Sequence, residues 1–253
     1  MLYELSLSSK YFYHNLLSFF MIGAWVYVGF RGFTLKDDNS KRKTSIFVIL
    51  YCIIQELIDF VNRIFLDSDY IFSIHRDIPF LQFCQISFYF SLLCILYSKK
   101  TVLKSSRYSM RQFLFDCSFL LGFSGAFQGI ITPDFLNINN LLGVICIQLQ
   151  HSLIILNLIW LMTAYKYRLR FGGVCLTYLF INIIAPFALW FNSILGEPAN
   201  YFYVIKLPEV DNIFLNFVSQ HPSPDYIFYI QPVFIVYFLT LYFPFYIFSK
   251  RND

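Results

Sequence analysis

The sequence is poor in charge, which separates it from soluble proteins. Only 13% of its 253 residues are Asp, Glu, Lys or Arg, whereas 58% are hydrophobic. A soluble domain carries about 25% charged residues, so this chain lacks the polar surface that would solvate it. Composition therefore predicts an all-α, polytopic membrane protein. We assign its net charge of +4 to loops and expect no nucleic-acid partner.

The sequence also lacks the cysteine and leader patterns of other protein classes. Its 6 cysteines all lie in apolar runs and none forms a CxxC pair, which argues against a disulfide framework and against a zinc site. No basic start or small-residue cleavage site flanks the first apolar run, so we expect that run to remain as a helix. No ATP or metal motif stands out, and we expect no cofactor.

Seven apolar runs approach the length of about 20 residues that a helical span requires. They lie at about 11–30, 45–65, 79–98, 112–131, 140–164, 172–195 and 226–248. We expect one integral membrane domain over 1–253, with a long outer segment at 196–225. Most of the 19 basic residues fall in the first, third and fifth connections and in the C-terminal tail. The positive-inside rule then predicts an outer N-terminus and a cytoplasmic C-terminus.

The third run carries a stripe of small, weakly polar residues at helical spacing. These residues are Cys84, Ser87, Ser91, Cys94 and Ser98. Spacings of three and four place them on one helix face. Such a face serves close helix packing in lipid, and spacing alone favours that interpretation. The alternative is that Cys84 is a nucleophile at the mouth of a polar cavity.

Polar side chains in the other runs concentrate in the predicted outer half of the membrane. Those residues are His14, Gln55, Glu56, Gln148 and His151. At 1.5 Å per residue, Cys84 lies about 7 Å and His151 about 16 Å below the outer ends of their helices. A cysteine with a histidine is the minimum for an activated thiolate. A buried core histidine, or an Asp59–Arg63 ion pair, would be a purely structural use of such groups.

Seven ordered segments carry a resemblance to a known family. They are HNLLSFF, IQEL, LQFC, SGAFQGIITPDF, QLQHSLIIL, FNSILGEPANYFYV and KLPEVDNIFLNFVSQHPSPDYIFY. In this order they resemble the YwaF-like bacterial integral membrane proteins, which are related to animal transmembrane protein 164. The resemblance covers about His14 to about Tyr229. It departs where the family's Gly-Pro-Trp-Pro-Trp element reads HPSPD at 221–225.

The resemblance implies a membrane-embedded phospholipid acyltransferase or transacylase with an active-site cysteine. It implies that Cys84 accepts the acyl group and that His151 is the base. The residues we expect to bind substrate are His14, Gln55, Glu56, Gln128, Pro133, Asp134, Gln148, Asn200 and Tyr201. The expected partners are phospholipid or lysophospholipid, and the expected location is a bacterial plasma membrane.

Two other functions remain open at the level of sequence. The polar residues of the spans would equally suit a non-enzymatic lipid-binding or small-molecule-binding membrane protein, or a transporter. No convincing inverted repeat relates the two halves, which weighs against the transporter. A seven-helix receptor has only the predicted helix count in its favour.

Overall fold

Long apolar helices form the framework of the protein. A computed structural model describes residues 5–67, 70–78, 81–98, 108–135, 138–207, 216 and 218–250, and no strand occurs among them. The helices are α1 (Leu7–Thr34), α2 (Asp38–Val61), α3 (Phe83–Tyr97), α4 (Met110–Ser124), α5 (Ala126–Ile131), α6 (Leu141–Ala164), α7 (Phe171–Leu195), α8 (Tyr226–Tyr229) and α9 (Gln231–Lys250). A π-helical turn, Asn62–Leu66, extends α2, and a 3₁₀ turn, Tyr201–Tyr203, follows α7.

Polar residues fix where most of the long helices begin. A side-chain oxygen at the N-cap accepts a hydrogen bond from the first helical turn in α1, α2, α4 and α6; these caps are Ser6, Asp37, Ser109 and Asn140. Such caps satisfy N–H groups that have no partner within the helix. Helix α3 differs, because Gln82 at its N-cap position makes no side-chain capping bond. The first turn of α3 is therefore available to other groups.

Six of the described helical segments are long and apolar enough to cross a membrane. The chain is therefore an integral, multi-pass membrane protein, and its apolar outer faces contact lipid. Helix α3 is apolar but has only 15 residues, which is about 22 Å of helix against a hydrocarbon core of about 30 Å. The predicted count of seven spans is thus not confirmed, and neither is the predicted orientation of the termini. Part of the expected span at 79–98 lies outside the described residues.

Helix α6 lies at the centre of the bundle. It packs against α1, α2, α3, α4 and α5, whereas α7 packs against α4 and α9. Buried amides join α6 to its neighbours: Gln148 Nε2 donates to Ser18 Oγ at 2.7 Å, and Asn157 Nδ2 donates to Ser91 Oγ at 3.0 Å. Paired polar groups of this kind hold helices together where lipid gives no hydrophobic drive between them.

The expected continuous helix at 112–131 is interrupted at Gly125. Helix α4 ends at Ser124, α5 begins at Ala126, and Gly125 between them has φ −111° and ψ −66°. Helical hydrogen bonds continue across the irregular residue, because Gly125 N–H donates to Leu121 O at 2.8 Å and Gly129 N–H donates to Gly125 O at 2.9 Å. The absence of a side chain at Gly125 and Gly129 allows α3 and α6 to approach closely at these positions.

Candidate functional site

Cys84 is the second residue of α3, at the end of the helix that lacks a side-chain cap. Its sulfur lies 3.8 Å from Gln82 Oε1. The backbone N–H groups of the first turn of a helix have no partner within the helix and favour a negative charge near them. Burial of the Cys84 thiol acts in the opposite direction and favours its neutral form, so the thiol needs a base to become a nucleophile.

Two glycines of the interrupted helix contact the two residues predicted to react. A Cβ atom built on Gly125 would lie 3.4 Å from the Cys84 nitrogen and 3.6 Å from the Cys84 Cβ atom. A Cβ atom built on Gly129 would lie 2.6 Å from Cε1 and 2.7 Å from Nδ1 of His151. Gly129 N–H donates to Gly125 O at 2.9 Å, so the two glycines are one helical turn apart. We call this surface, Gly125 with Gly129, the glycine edge.

The glycine edge brings Cys84 and His151 to the same side of α5. Positions four apart on a helix have Cβ atoms about 5–6 Å apart. Cys84 packs at one of those positions and the His151 ring at the other. Helix geometry predicts a difference in depth of about 9 Å between Cys84 and His151, and it did not predict that both would pack against neighbouring turns of one helix.

Two imidazole rings at the site each have an unpartnered, buried nitrogen. Nδ1 of His151 and Nδ1 of His14 have no hydrogen-bond partner in the described structure. Nε2 of His14 lies 3.0 Å from Ile130 O, and His14 is 0% exposed. Because a carbonyl oxygen only accepts, Nε2 is the protonated nitrogen of a neutral His14 ring. His151 makes no hydrogen bond to any described residue, which leaves its ring available to exchange a proton.

Glu56 joins three helices close to Cys84. Its carboxylate accepts hydrogen bonds from Gln150 Nε2 at 2.7 Å and from Tyr89 O–H at 3.1 Å. These contacts connect α2, α6 and α3, and the Glu56 charge also acts on the Cys84 thiol. An acidic group bonded in this way positions its neighbours, and a negative charge on it opposes formation of the Cys84 thiolate.

The other predicted amides on α2 and α6 are bonded between helices. Gln55 Nε2 donates to Cys146 O at 3.3 Å, and Gln55 Oε1 is buried without a partner in the described structure. Gln148 Oε1 accepts from Ser152 O–H at 3.0 Å in addition to its bond with Ser18. Both amides therefore have packing roles, and their predicted contact with substrate remains a prediction.

Predicted binding residues within and after α5 have different neighbours. Pro133 and Asp134 follow the helix after Thr132, and Asp134 acts electrostatically on Tyr203. Gln128, within α5, instead lies near the Tyr237 hydroxyl on α9, and that hydroxyl donates to Phe123 O at 2.8 Å. Contact of any of these residues with substrate remains a prediction.

Asn200 and Tyr201 hold the segment that follows α7. The Asn200 side chain accepts from the N–H groups of Ile205 and Lys206 at 3.1 and 3.0 Å and donates to Lys206 O at 2.7 Å. Tyr201 N–H donates to Asn192 Oδ1 at 2.9 Å, and Asn192 Nδ2 donates to Tyr201 O at 3.1 Å. Both predicted binding residues therefore have a structural role in this segment, and their contact with substrate remains a prediction.

The Tyr201 hydroxyl extends the same anchoring to the connection between α2 and α3. It donates to Ile74 O at 2.7 Å and accepts from Ile78 N–H at 2.9 Å. His75 in that connection contacts Leu195 O at the end of α7 through Nε2 at 3.1 Å. The segments before α3 and after α7 are therefore bonded to each other.

Sequence reasoning missed Tyr203, whose position depends on an unusual backbone. Phe202 and Tyr203 have φ angles of 57° and 54°, which cost non-glycine residues about 1–3 kcal/mol each. Phe202 N–H donates to Leu81 O at 3.3 Å, and its ring centroid lies 5.2 Å from that of Phe83. Tyr226 O–H donates to Tyr203 O. These contacts fix the turn against the start of α3, beside Cys84.

The surroundings of Tyr203 keep its phenol protonated. Burial raises the pKa of Tyr203 to about 12, and the neighbouring Cys84 and Asp134 add to the rise. Tyr203 is nevertheless 40% exposed, so a molecule outside the protein can contact its side chain. Among the described residues, no group of three or more His, Cys, Asp or Glu is placed to hold a metal ion.

Fold and contacts together define a multi-pass α-helical membrane protein that carries a thiol in the first turn of α3 and buried imidazoles and a carboxylate on other helices of the bundle. Residues 6–242 match the TMEM164 family, and the chain belongs to that family. This confirms the family relationship expected from the ordered motifs, whereas the bacterial branch stays a prediction. Neither the curated proteins nor the solved structures give a match.

Proposed function

We propose that this protein is a phospholipid acyltransferase or transacylase that uses Cys84 as nucleophile and His151 as base, on the outer side of the membrane. The observation that carries the proposal is the glycine edge, which packs against both residues within one turn of α5. Membership of the TMEM164 family supports a membrane-embedded site. The proposed location is a bacterial plasma membrane, and the proposed substrates are its phospholipids and lysophospholipids.

The first half of the proposed reaction transfers an acyl group to sulfur. His151 takes the Cys84 thiol proton, and the thiolate attacks the ester carbonyl carbon of a donor phospholipid. A carbon–sulfur bond forms, the ester carbon–oxygen bond breaks, and the imidazolium returns the proton to the leaving alkoxide. The products are a thioester on Cys84 and a lysophospholipid.

The second half transfers the acyl group to an acceptor. The hydroxyl of a lysophospholipid attacks the thioester while His151 takes its proton. A carbon–oxygen bond forms, the carbon–sulfur bond breaks, and the sulfur leaves as thiolate and recovers a proton from the imidazolium. One ester is exchanged for another, so the balance requires no ATP and no oxidant.

The test is to trap the acyl group on the protein. Purified protein in vesicles of phosphatidylcholine with a radiolabelled acyl chain should acquire a label that hydroxylamine removes, as expected for a thioester. Cys84→Ala should lose the label, whereas Cys175→Ala, which changes an exposed cysteine, should keep it. Equal labelling of wild type and Cys84→Ala would refute the proposed nucleophile.

One observation favours the alternative of a non-enzymatic lipid or small-molecule binder, or a transporter. Gln55, Glu56 and Gln148 already bond between helices, which is a non-catalytic use of polar residues within the spans. Cys84→Ser distinguishes the two functions, because serine fills nearly the same space but is a much weaker nucleophile at neutral pH. Retained lipid binding or transport in Cys84→Ser, without any acyl transfer by wild type, would favour the binder.

A further inference from the structure

The Tyr201–Tyr203 turn is fixed over the first turn of α3 despite an unfavourable backbone. Two successive aromatic residues have positive φ angles, an arrangement that persists only where surrounding contacts impose it. The imposing contacts are the paired bonds between Tyr201 and Asn192, the Phe202 bond to Leu81 O, and the Tyr226 bond to Tyr203 O. Outliers of this kind concentrate where a side chain must be held in one direction.

The side chain held in this way is the Tyr203 phenol. Its hydroxyl makes no hydrogen bond within the part of the chain that the structure describes, whereas the N–H, carbonyl and hydroxyl groups of Tyr201 are all bonded. The Cys84 thiol and the Asp134 carboxylate act electrostatically on the phenol, and the turn that carries it is bonded to Leu81 O, three residues before Cys84. It is thus a neutral donor without an acceptor, beside the candidate nucleophile.

An acyl group on Cys84 would supply the missing acceptor. The carbonyl oxygen of the acyl group becomes negative when the tetrahedral intermediate forms, and preorganised donors stabilise that charge. The first turn of α3, which includes Cys84, has no side-chain cap, so its backbone N–H groups are one source of such donors. Tyr203 is a second source, because its turn is bonded to Leu81 O just before that helix. A phenol of high pKa keeps its proton throughout the reaction and acts only by hydrogen bonding.

We propose that the Tyr203 hydroxyl donates a hydrogen bond to the carbonyl oxygen of the acyl group carried by Cys84. This inference rests on the proposed acyltransferase function and adds a catalytic residue to it. Tyr203 contributes in both halves of the reaction, since each half passes through the same type of oxyanion. It takes no part in the proton transfers, which belong to His151.

The test compares Tyr203→Phe with Tyr229→Phe, a matched control. Tyr229 is 46% exposed, similar to Tyr203, and its ring stacks on His221. Both variants remove one phenol oxygen and keep the ring. With vesicles of labelled phosphatidylcholine and a lysophosphatidylcholine acceptor, Tyr203→Phe should lower kcat about 10- to 100-fold with KM nearly unchanged, because an oxyanion donor acts in the transition state. Tyr229→Phe should match wild type.

The outcomes separate this inference from the proposed function. If Tyr203→Phe matches wild type, or raises KM without lowering kcat, Tyr203 is not an oxyanion donor, while a thioester on Cys84 would keep the proposed function intact. If Cys84→Ala retains the acyl transfer, both proposals fail together. Thermal unfolding in detergent should give similar midpoints for wild type and both tyrosine variants. A much lower midpoint for Tyr203→Phe would show a structural role for the hydroxyl and overturn the inference.

Discussion

A single missing methyl group at position 129 leaves room for the His151 ring. Alanine at this position would place its Cβ atom 2.6 Å from Cε1 of His151, so the ring must move. Under the proposed function, we expect Gly129→Ala to lower acyl transfer at least tenfold, since small displacements of a base are costly. The measurement is the rate of thioester formation on Cys84.

Gly125 gives the matched control for that substitution. Its nearest contact outside α4 would be the Cys84 nitrogen at 3.4 Å, with Leu121 O at 3.3 Å, so alanine needs only slight adjustment there. We expect Gly125→Ala to retain most of the activity. If both variants kept full activity, the position of the His151 ring would not matter to the reaction.

Asp77 links the stability of the α2–α3 connection to pH. Burial would raise the pKa of Asp77, but the hydrogen bonds from Arg76 and from Ser73 N–H outweigh it and lower the pKa. A lowered pKa in the folded state means that Asp77 stabilises the protein above the ordinary carboxyl range, and this contribution disappears as acid protonates the group. Asp77→Asn should therefore lower the thermal midpoint at pH 7. It should also reduce the difference between the midpoints at pH 7 and pH 3.

Thermal midpoints of wild type and Asp77→Asn, measured across pH, test that prediction. The two proteins should converge at the acidic end, because a protonated Asp77 no longer pairs with the Arg76 guanidinium. Asp225→Asn is a suitable control, because it also replaces one carboxylate with an amide. A midpoint difference that stayed constant from pH 7 to pH 3 would contradict the role assigned to the Asp77 charge.

At the scale of elements, α7 and the Tyr201–Tyr203 turn depend on one buried amide. Asn192 is 3% exposed and makes two reciprocal bonds with the Tyr201 backbone. Asn192→Leu keeps the volume but leaves those backbone groups unpaired, which costs about 1–3 kcal/mol for each buried group. We expect faster amide hydrogen exchange at Tyr201 and Phe202, together with reduced acyl transfer. Ser193→Ala, at an exposed neighbour, should change neither quantity.

The helices were predictable from apolar runs, but their interruption and extension depend on local chemistry. The run at 112–131 is mostly apolar, and its hydrophobicity gives no sign that Gly125 would separate α4 from α5. Similarly, α2 begins at Asp38, earlier than the apolar run, because the Asp37 side chain accepts from the N–H groups of Asn39 and Ser40. Periodicity locates the buried part of a helix, whereas caps and glycines set its ends.

The candidate site was only partly predictable for a similar reason. Cys84 and His151 were identified by their residue types and by family motifs, which are properties of the sequence. Their common contact with the glycine edge, and the position of Tyr203 beside the start of α3, depend on the glycines at 125 and 129 and on the backbone at Phe202 and Tyr203. Positive φ angles in non-glycine residues arise from surrounding tertiary contacts, so no local pattern predicts them.

For the whole molecule, the distribution of basic residues still predicts an outer N-terminus. Single cysteines introduced into a cysteine-free variant at Ser8 and Asn39, which lie near opposite ends of α1 and are both exposed, would test this. A membrane-impermeant maleimide added to intact cells should label Ser8→Cys and spare Asn39→Cys. The reverse labelling pattern would invert the orientation, and with it the proposed outer location of the active site.

Helix α3 is shorter than the hydrocarbon layer, and under the proposed function this length affects how lipid substrates reach Cys84. With about 22 Å of helix inside a layer of about 30 Å, the end that carries Cys84 need not extend to bulk water. Lipid molecules would then enter laterally from the leaflet and exchange within two dimensions. We expect the turnover rate in mixed micelles to follow the mole fraction of lipid in the micelle surface, and to stay constant when the whole suspension is diluted.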